Sequence, residues 1–163
     1  MIRVDQAGEY GAVRIYAGQR AVLGEAGPVS GAIAGMAAQE AKHLARFDAM
    51  IAARGVRPTL LQPLWRVAGH ALGVTTALIS PATALAATAA IEDEIDSHYG
   101  EQLEALESED PELSSAIEEF RADEQEHRDA AIQGGAQDAF LYPLLYSSIR
   151  AGCRIAIELS KRI

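Results

Sequence analysis

Cysteine is nearly absent from this 163-residue chain, in which Cys153 stands alone. No internal disulfide can form, and the composition agrees with a reducing compartment. An iron centre held by several thiolates is excluded as well. Cys153 lies in a helical stretch beside Gly152, where a small buried thiol is expected rather than a nucleophile. Aromatic residues make up only 6%, so the interior must be built from aliphatic side chains and abundant alanine. Alternating apolar–polar runs of useful length are missing, which leaves an all-α chain. Fourteen basic side chains face 23 acidic ones, for a net charge of −9, and this balance argues against nucleic acid as a partner. Residues 1–5 show no apolar run and no small-residue cleavage site, so no secretory leader is expected there. The glycine-rich βαβ fingerprint of a dinucleotide fold is also missing. Gly31-Ala32-Ile33-Ala34-Gly35 instead predicts close helix packing.

The acids are unevenly spread. Residues 92–129 hold sixteen of them against only Arg121 and Arg128. Most, including Glu101, Glu104, Glu107, Glu109, Glu118 and Glu119, are expected on solvated helix faces. The basic side chains are left to the flanking segments, where they could meet anionic lipid.

Residues 1–163 read as one domain, a set of helices. The first is predicted from about Val4 to Leu23, stopped near Gly24 and Gly27. Ser30 is expected to cap the second, which runs to Arg54 with Gly55 after it. Ser80-Pro81 and Asp110-Pro111 each read as a cap followed by a first-turn proline. The helix after Asp110 stops at Gly134-Gly135, and Asp138 is expected to start the last one. Between Val67 and Ile91 no residue is formally charged. The proline break and the many Ala, Gly and Thr residues argue against a membrane span. Two readings of residues 58–80 remain: a buried crossover helix, or an interfacial helix with Trp65 and Arg66 at headgroup level and Leu72, Val74 and Leu78 in lipid.

The strongest signal is an order of six residues: Glu9, then Glu40-Ala41-Lys42-His43, then Glu92, then Glu124-Gln125-Glu126-His127. Glu9 and Glu40 are 31 residues apart, Glu92 and Glu124 are 32 apart. Helical residues three apart share a face, so each ExxH offers a carboxylate and an imidazole to one point. Four antiparallel helices turning these groups inward build a two-metal carboxylate site. The wide gap between His43 and Glu92 supplies the long crossover of a ferritin-like four-helix bundle, with an additional C-terminal helix. Four buried carboxylates need compensation, and two divalent ions supply it charge for charge. Oxygen donors with one nitrogen per metal suit iron or manganese. Glu40 and Glu124 are the natural bridges, with Glu9 and His43 on one metal and Glu92 and His127 on the other. Asp123, one residue before Glu124, is expected to orient a ligating histidine. Glu92 competes with Asp93, Glu94 and Asp96 for its role. His70 and His98 read as polar satellites, although His98 and Tyr99 sit about two turns past Glu92 and are candidates for a supporting or substrate contact.

A reduced pair of irons activates oxygen, and the surrounding cavity then decides the outcome. Handling iron as cargo needs polar routes, whereas hydroxylation needs an apolar opening. The apolar Leu60–Ile91 region, whose one formal charge is Arg66, favours hydroxylation over a bacterioferritin-like iron-oxidising and storage protein.

Five segments carry a family resemblance: Asp5-Gln6-Ala7-Gly8-Glu9-Tyr10-Gly11-Ala12; Gln39 to Leu44; Ile91-Glu92 with Ser97-His98-Tyr99; Phe120 to His127; and Ala151-Gly152-Cys153-Arg154-Ile155-Ala156-Ile157. Together they resemble the demethoxyubiquinone hydroxylase family of ubiquinone biosynthesis over nearly the whole chain. The resemblance implies a di-iron monooxygenase with two Fe ions that hydroxylates the ring of a polyprenylated demethoxyubiquinol, using O2 and electrons ultimately from NADH. It also implies peripheral attachment to a membrane surface, on the cytoplasmic face of a bacterial inner membrane or the matrix face of the mitochondrial one. A homo-oligomer or a ubiquinone-biosynthesis complex is compatible with it. Glu158 departs from the family pattern, where some members carry tyrosine.

Overall fold

The computed structural model describes residues 1–106 and 109–163. Six α-helices follow one another, and no strand occurs among the described residues: α1 (Ile2–Leu23), α2 (Pro28–Ala53), α3 (Gln62–Ile79), α4 (Pro81–Leu106), α5 (Pro111–Gln133) and α6 (Tyr142–Arg162). Helices α1, α2, α4 and α5 form the ferritin-like bundle, α3 is the crossover, and α6 is the additional helix. Contacts give the directions. Asp123 and Gln39 meet His43 and His127, so α2 and α5 are antiparallel. Glu9 and Tyr16 meet Tyr99 and Glu92, so α1 and α4 are antiparallel too. Along α3, Gly69 and Gly73 meet Gly11 and Ile15 in the same order, so α3 runs parallel to α1 and carries the chain back along the bundle.

Local chemistry sets the helix ends. The Asp110 side chain accepts from the Leu113 N–H at 3.1 Å, and Ser80 Oγ accepts from the Thr83 N–H at 3.0 Å. Each is followed by a proline whose missing N–H costs the helix nothing. Two expected starts move. Helix α2 begins at Pro28 after Gly27, whose φ of 110° only glycine adopts freely. Ser30 lies inside it, its hydroxyl donating to the Leu23 and Ala26 carbonyls, both at 3.1 Å. Asp138 ends a 3₁₀ turn over Ala136–Asp138 instead of starting α6. Pro143 in the first turn of α6 sets the later start at Tyr142.

On the bundle helices the apolar core falls into two clusters. One includes Phe47, Met50, Ile95, Leu113, Ile117 and Phe120. The other includes Tyr16, Ile33, Met36, Leu85, Ala89 and Ala131. Between them on α2 and α5 lie the two ExxH segments. A buried polar layer thus crosses the bundle at mid-height.

The close approach predicted at Gly31–Gly35 occurs elsewhere. A Cβ on Gly31 or Gly35 would meet nothing within 4 Å, whereas one on Gly73 would lie 2.0 Å from the Ile15 carbonyl oxygen and one on Gly18 2.3 Å from that of His70. The tight contact is between α1 and α3. Gly73→Ala should therefore destabilise by about 1–3 kcal/mol through overpacking, while Gly35→Ala should stabilise by roughly 0.5–1 kcal/mol through helix propensity. Thermal melts of the two variants should move in opposite directions.

Helix α3 is neither fully buried nor laid out as expected. Gly69, Gly73, Thr76 and Ala77 are buried, while Leu64, Val67, Leu78 and Ile79 are exposed. Trp65 is half-buried, and its indole N–H donates to Ser160 Oγ on α6 at 3.1 Å; Arg66 stays exposed. Leu72 turns inward onto the core. Of the three residues expected in lipid, only Leu78 is open, because the glycine ridge fixes which face of α3 meets α1. Glu101, Glu104, Glu109, Glu118 and Glu119 are exposed as expected, and Glu107 lies outside the described residues.

Candidate metal centre

Each sequence half contributes one lone glutamate and one ExxH, and the bundle brings all six side chains to one point. Glu9, Glu40, Glu92 and Glu124 have no exposed surface, and His43 and His127 are 2% exposed. Two overlapping groups could hold a cation each: Glu9, Glu40, His43 and Glu124, and Glu40, Glu92, Glu124 and His127. Within each group the candidate ligand atoms lie within 4.8 Å of one another. Glu40 and Glu124 belong to both, the position of bridging carboxylates.

The hydrogen-bond accounting points the same way. Buried polar atoms normally find partners. Here both oxygens of Glu40 and Glu124, one oxygen each of Glu9 and Glu92, and Nδ1 of both histidines are buried without one. His43 Nδ1 faces Glu124 at 3.3 Å and Glu9 at 3.7 Å; His127 Nδ1 faces Glu40 at 3.2 Å and Glu124 at 3.6 Å. Eight orphaned donor-set atoms in one pocket fit a pair of oxygen-loving cations.

The outward nitrogens are held in a crossed pattern. His43 Nε2 lies 2.9 Å from Asp123 Oδ2, and His127 Nε2 lies 3.0 Å from Gln39 Oε1. Carboxylate and amide oxygens only accept, so each Nε2 carries the proton and each Nδ1 lone pair points inward. The residue preceding one ExxH thus orients the histidine of the other.

Tyrosines finish the set. Tyr99 donates to Glu9, and Tyr16 donates to Glu92. Sequence reasoning singled out Tyr99 and missed Tyr16. A signal existed: each tyrosine follows the lone glutamate of its own helix by seven residues, two turns on, and α1 and α4 run antiparallel. Each therefore reaches the other helix's glutamate. Burial, reinforced by the charges of Glu92 and Glu9 respectively, raises both phenols well above their ordinary range.

Crowding perturbs the acids in the same direction. Burial, then the charge of Glu124, holds Glu40 and Glu92 well above the usual carboxylate range, and burial raises Glu124 as well. Burial works against charge on His43, yet the facing carboxylates of Glu124 and Glu9 outweigh it and raise the affinity of Nδ1 for a proton, which a bound cation would displace. His127 is lowered by burial.

The competitors of Glu92 have other partners. Glu94 turns to α6, where Arg150 Nε lies at 3.0 Å and Arg154 Nε at 2.9 Å, and the two guanidiniums hold it below the usual range despite burial. Asp93 pairs with Arg150 at 2.5 Å, and Asp96 pairs with Arg121 at 2.7 Å. The pairs of Arg150 and Arg154 seat α6 on α4, and that of Arg121 joins α5 to α4. His70 is exposed on α3, away from the centre.

Beside the centre, α1, α3, α4 and α6 enclose an apolar cavity of about 220 Å³. Ile15, Leu72, Ile91, Ile95, Ile149 and Ile157 are among its walls, and His98 and Tyr99 line it on α4. Tyr99 thus touches both the cavity and Glu9. Cys153 is half-buried on the same wall, and burial pushes its thiol up to about 12, so it is a neutral wall atom and no nucleophile.

Comparison with known proteins agrees with this arrangement. The family model for ubiquinone biosynthesis protein COQ7 matches residues 1–160. A 3-demethoxyubiquinol 3-hydroxylase of Rhodospirillum rubrum is 50% identical over 162 residues, covering 99% of this chain and 76% of that protein. The human mitochondrial NADPH-dependent 3-demethoxyubiquinone 3-hydroxylase is 49% identical over 169 residues, covering 100% and 76%. The mitochondrial 5-demethoxyubiquinone hydroxylase of Saccharomyces cerevisiae is 40% identical over 179 residues, covering 100% and 77%. A buried layer of four glutamates and two histidines in a ferritin-like bundle, an apolar cavity beside it and a match along almost the entire sequence converge: this chain belongs to the COQ7 family of ubiquinone biosynthesis proteins.

Proposed function

We propose that this protein is a di-iron monooxygenase that hydroxylates the ring of a polyprenylated demethoxyubiquinol. One observation carries the reading: an apolar cavity ends against Tyr99, whose hydroxyl is bonded to Glu9 of the carboxylate layer. A hydrophobic ring can be held there beside the place where oxygen is activated. Glu9, Glu40, His43, Glu92, Glu124 and His127 would hold two iron ions, and these supply the binding and reductive activation of O2 when present. The chain's own part is positional. Tyr16 and Tyr99 pin the lone glutamates, Asp123 and Gln39 fix the histidine tautomers, and the apolar wall keeps water from the reacting carbon.

Oxygen balance sets the need for a reductant. One oxygen atom enters the ring C–H bond, the other leaves as water, and two electrons and two protons are consumed. A reduced nicotinamide is the proposed source. The NADPH named for several relatives joins the NADH implied by the family resemblance as a candidate. With no dinucleotide fingerprint in the chain, three routes stay open: the nicotinamide binds by another surface, or the electrons reach the centre through the quinone or a partner.

The substrate's prenyl tail requires contact with a bilayer. Among the described residues no helix is long and apolar enough to cross one. Exposed Leu64, Val67 and Leu78 share the outer side of the molecule with Arg14, Arg66 and His70, which line a cleft between α1 and α3. The acids of α1, Asp5 and Glu9, are both turned inside, and α3 has none. A basic, apolar face on an acidic protein suits an anionic membrane surface. Leu64→Glu with Val67→Glu should weaken vesicle binding by about tenfold or more while sparing metal content, since each side chain buried in lipid contributes about 1.5–3 kcal/mol. Unchanged flotation with vesicles would remove the membrane reading.

The function itself is tested with a short-chain demethoxyubiquinol analogue under ¹⁸O2. One labelled ring oxygen per turnover is expected. Oxygen consumption driven by iron alone, with an unaltered ring, would instead support the storage reading, which would call for polar ion routes rather than this cavity.

A further inference from the structure

The cavity has room for a ring but not for a polyprenyl tail. At about 220 Å³ it falls below the roughly 300–1,000 Å³ of pockets that enclose a drug-sized ligand, so the tail of the proposed substrate must pass out through the wall. Three of the four junctions around the cavity are closed. Helices α1 and α3 meet backbone to backbone at Gly18, Gly69 and Gly73. Helices α1 and α4 are joined by Tyr99 with Glu9 and by Gln102 with Asp5. Helices α4 and α6 are clamped by Arg150 and Arg154 on Asp93 and Glu94. The junction of α3 with α6 is left, and these two helices pack on α1 and α4 and hardly on each other.

The wall itself shows where it opens. Among the described residues that line the cavity, only Ala68 on α3 and Gly152 on α6 are exposed. A residue that faces both the cavity and solvent stands at a gap. At one end of this seam Trp65 bonds Ser160 Oγ across it at 3.1 Å. Toward the other end, Leu72 and Ile149 belong to the core. Outside, the path stays apolar: Leu64 lies one turn from Ala68 and Ile155 one turn from Gly152, and both are more than half exposed. We propose that the seam between α3 and α6 is a side door, through which the ring enters and in which the prenyl tail stays, between Ala68 and Gly152. This inference rests on the quinol-hydroxylase reading and adds to it the route of the tail and the residues that set its width.

The chemistry of the tail suits the slot. An isoprene chain has no hydrogen-bonding group, so it can lie between two helices without leaving a polar atom unpaired. Leu64 also belongs to the face proposed to meet the bilayer, so a tail leaving by the seam passes from cavity to lipid without crossing water. A larger side chain at Ala68 narrows the door. A short-tailed substrate needs the door only in passing, whereas a long-tailed one must hold it open for as long as it is bound. The loss is therefore graded by tail length.

The test compares Ala68→Trp with the wild type, both as iron-loaded full chains in neutral detergent micelles with a reduced nicotinamide as donor. The substrates are demethoxyubiquinol analogues carrying one and four isoprene units. The wild type should hydroxylate both. In Ala68→Trp, kcat/KM should fall about tenfold or more for the four-isoprene analogue, through KM, and by less than about threefold for the one-isoprene analogue. An equal fall for both lengths, or no fall for either, would overturn the door while leaving the cavity reading intact. If Ala68→Trp fails to fold, a photoreactive diazirine on the second isoprene unit decides on the wild type. Adducts on α3 and α6 around Ala68 and Gly152 are expected, and adducts on other helices, or none, would overturn the inference. Turnover of neither analogue by the wild type would defeat the hydroxylase reading and the door together.

Discussion

Glu124→Ala is expected to abolish hydroxylation and to empty the centre of both ions, whereas Glu9→Ala should retain one. The difference follows from the overlap of the two candidate groups: Glu124 and Glu40 belong to both, Glu9 and Glu92 to one each. Removing a shared carboxylate takes a donor from each ion and unbalances a layer whose buried charges each cost several kcal/mol when uncompensated. Asp123→Ala touches no candidate ligand atom but frees His43 Nε2, and metal affinity should fall by about 10- to 100-fold. Metal content by elemental analysis, measured beside turnover, gives the ranking Glu124, then Glu9, then Asp123. An equal loss in all three would mean general unfolding, and no loss would dismiss the centre. Because Glu40, Glu92 and Glu124 hold protons more tightly than free glutamate, each ion displaces protons as it binds. Affinity should therefore rise with pH.

Gly11→Leu and Gly152→Leu should separate substrate binding from metal binding. Both glycines line the cavity, one on α1 and one on α6, and a Cβ on either would meet nothing within 4 Å. The backbone can accept a side chain there, and each helix should gain about 0.5–1 kcal/mol from losing a glycine. The added side chain occupies space assigned to the ring. We expect two metals per chain, an equal or higher melting temperature, and kcat/KM for the quinol lowered by roughly 10- to 100-fold, corresponding to 1–3 kcal/mol of overpacking. Normal turnover with either leucine would place the substrate elsewhere.

Much of the centre was legible because helical geometry is local. Three-residue spacing within Glu40–His43 and Glu124–His127 fixes a shared face before any tertiary contact forms, and one step back along the helix marked Asp123 as a partner for a histidine. The crossed pairing with Gln39 needed α2 and α5 side by side. Tyr16 was hidden by a different kind of dependence. Its partner is Glu92 on another helix, so its role required the antiparallel match of α1 with α4. Glu92 itself was ambiguous among four acids, and the assignment came from α6, whose Arg150 and Arg154 draw Asp93 and Glu94 to the other side.

The order of six ligand-type residues, the all-helical pattern and the long gap between its halves were determined by sequence alone, since periodicity and charge are properties of the chain. Which face of α3 turns inward, which glycines carry close contact, and where a cavity opens were decided only in three dimensions. Those outcomes depend on how neighbouring helices settle together. Trp65 shows the reason: the partner of its indole N–H, Ser160, lies 95 residues along the chain on α6, where no local pattern announces it.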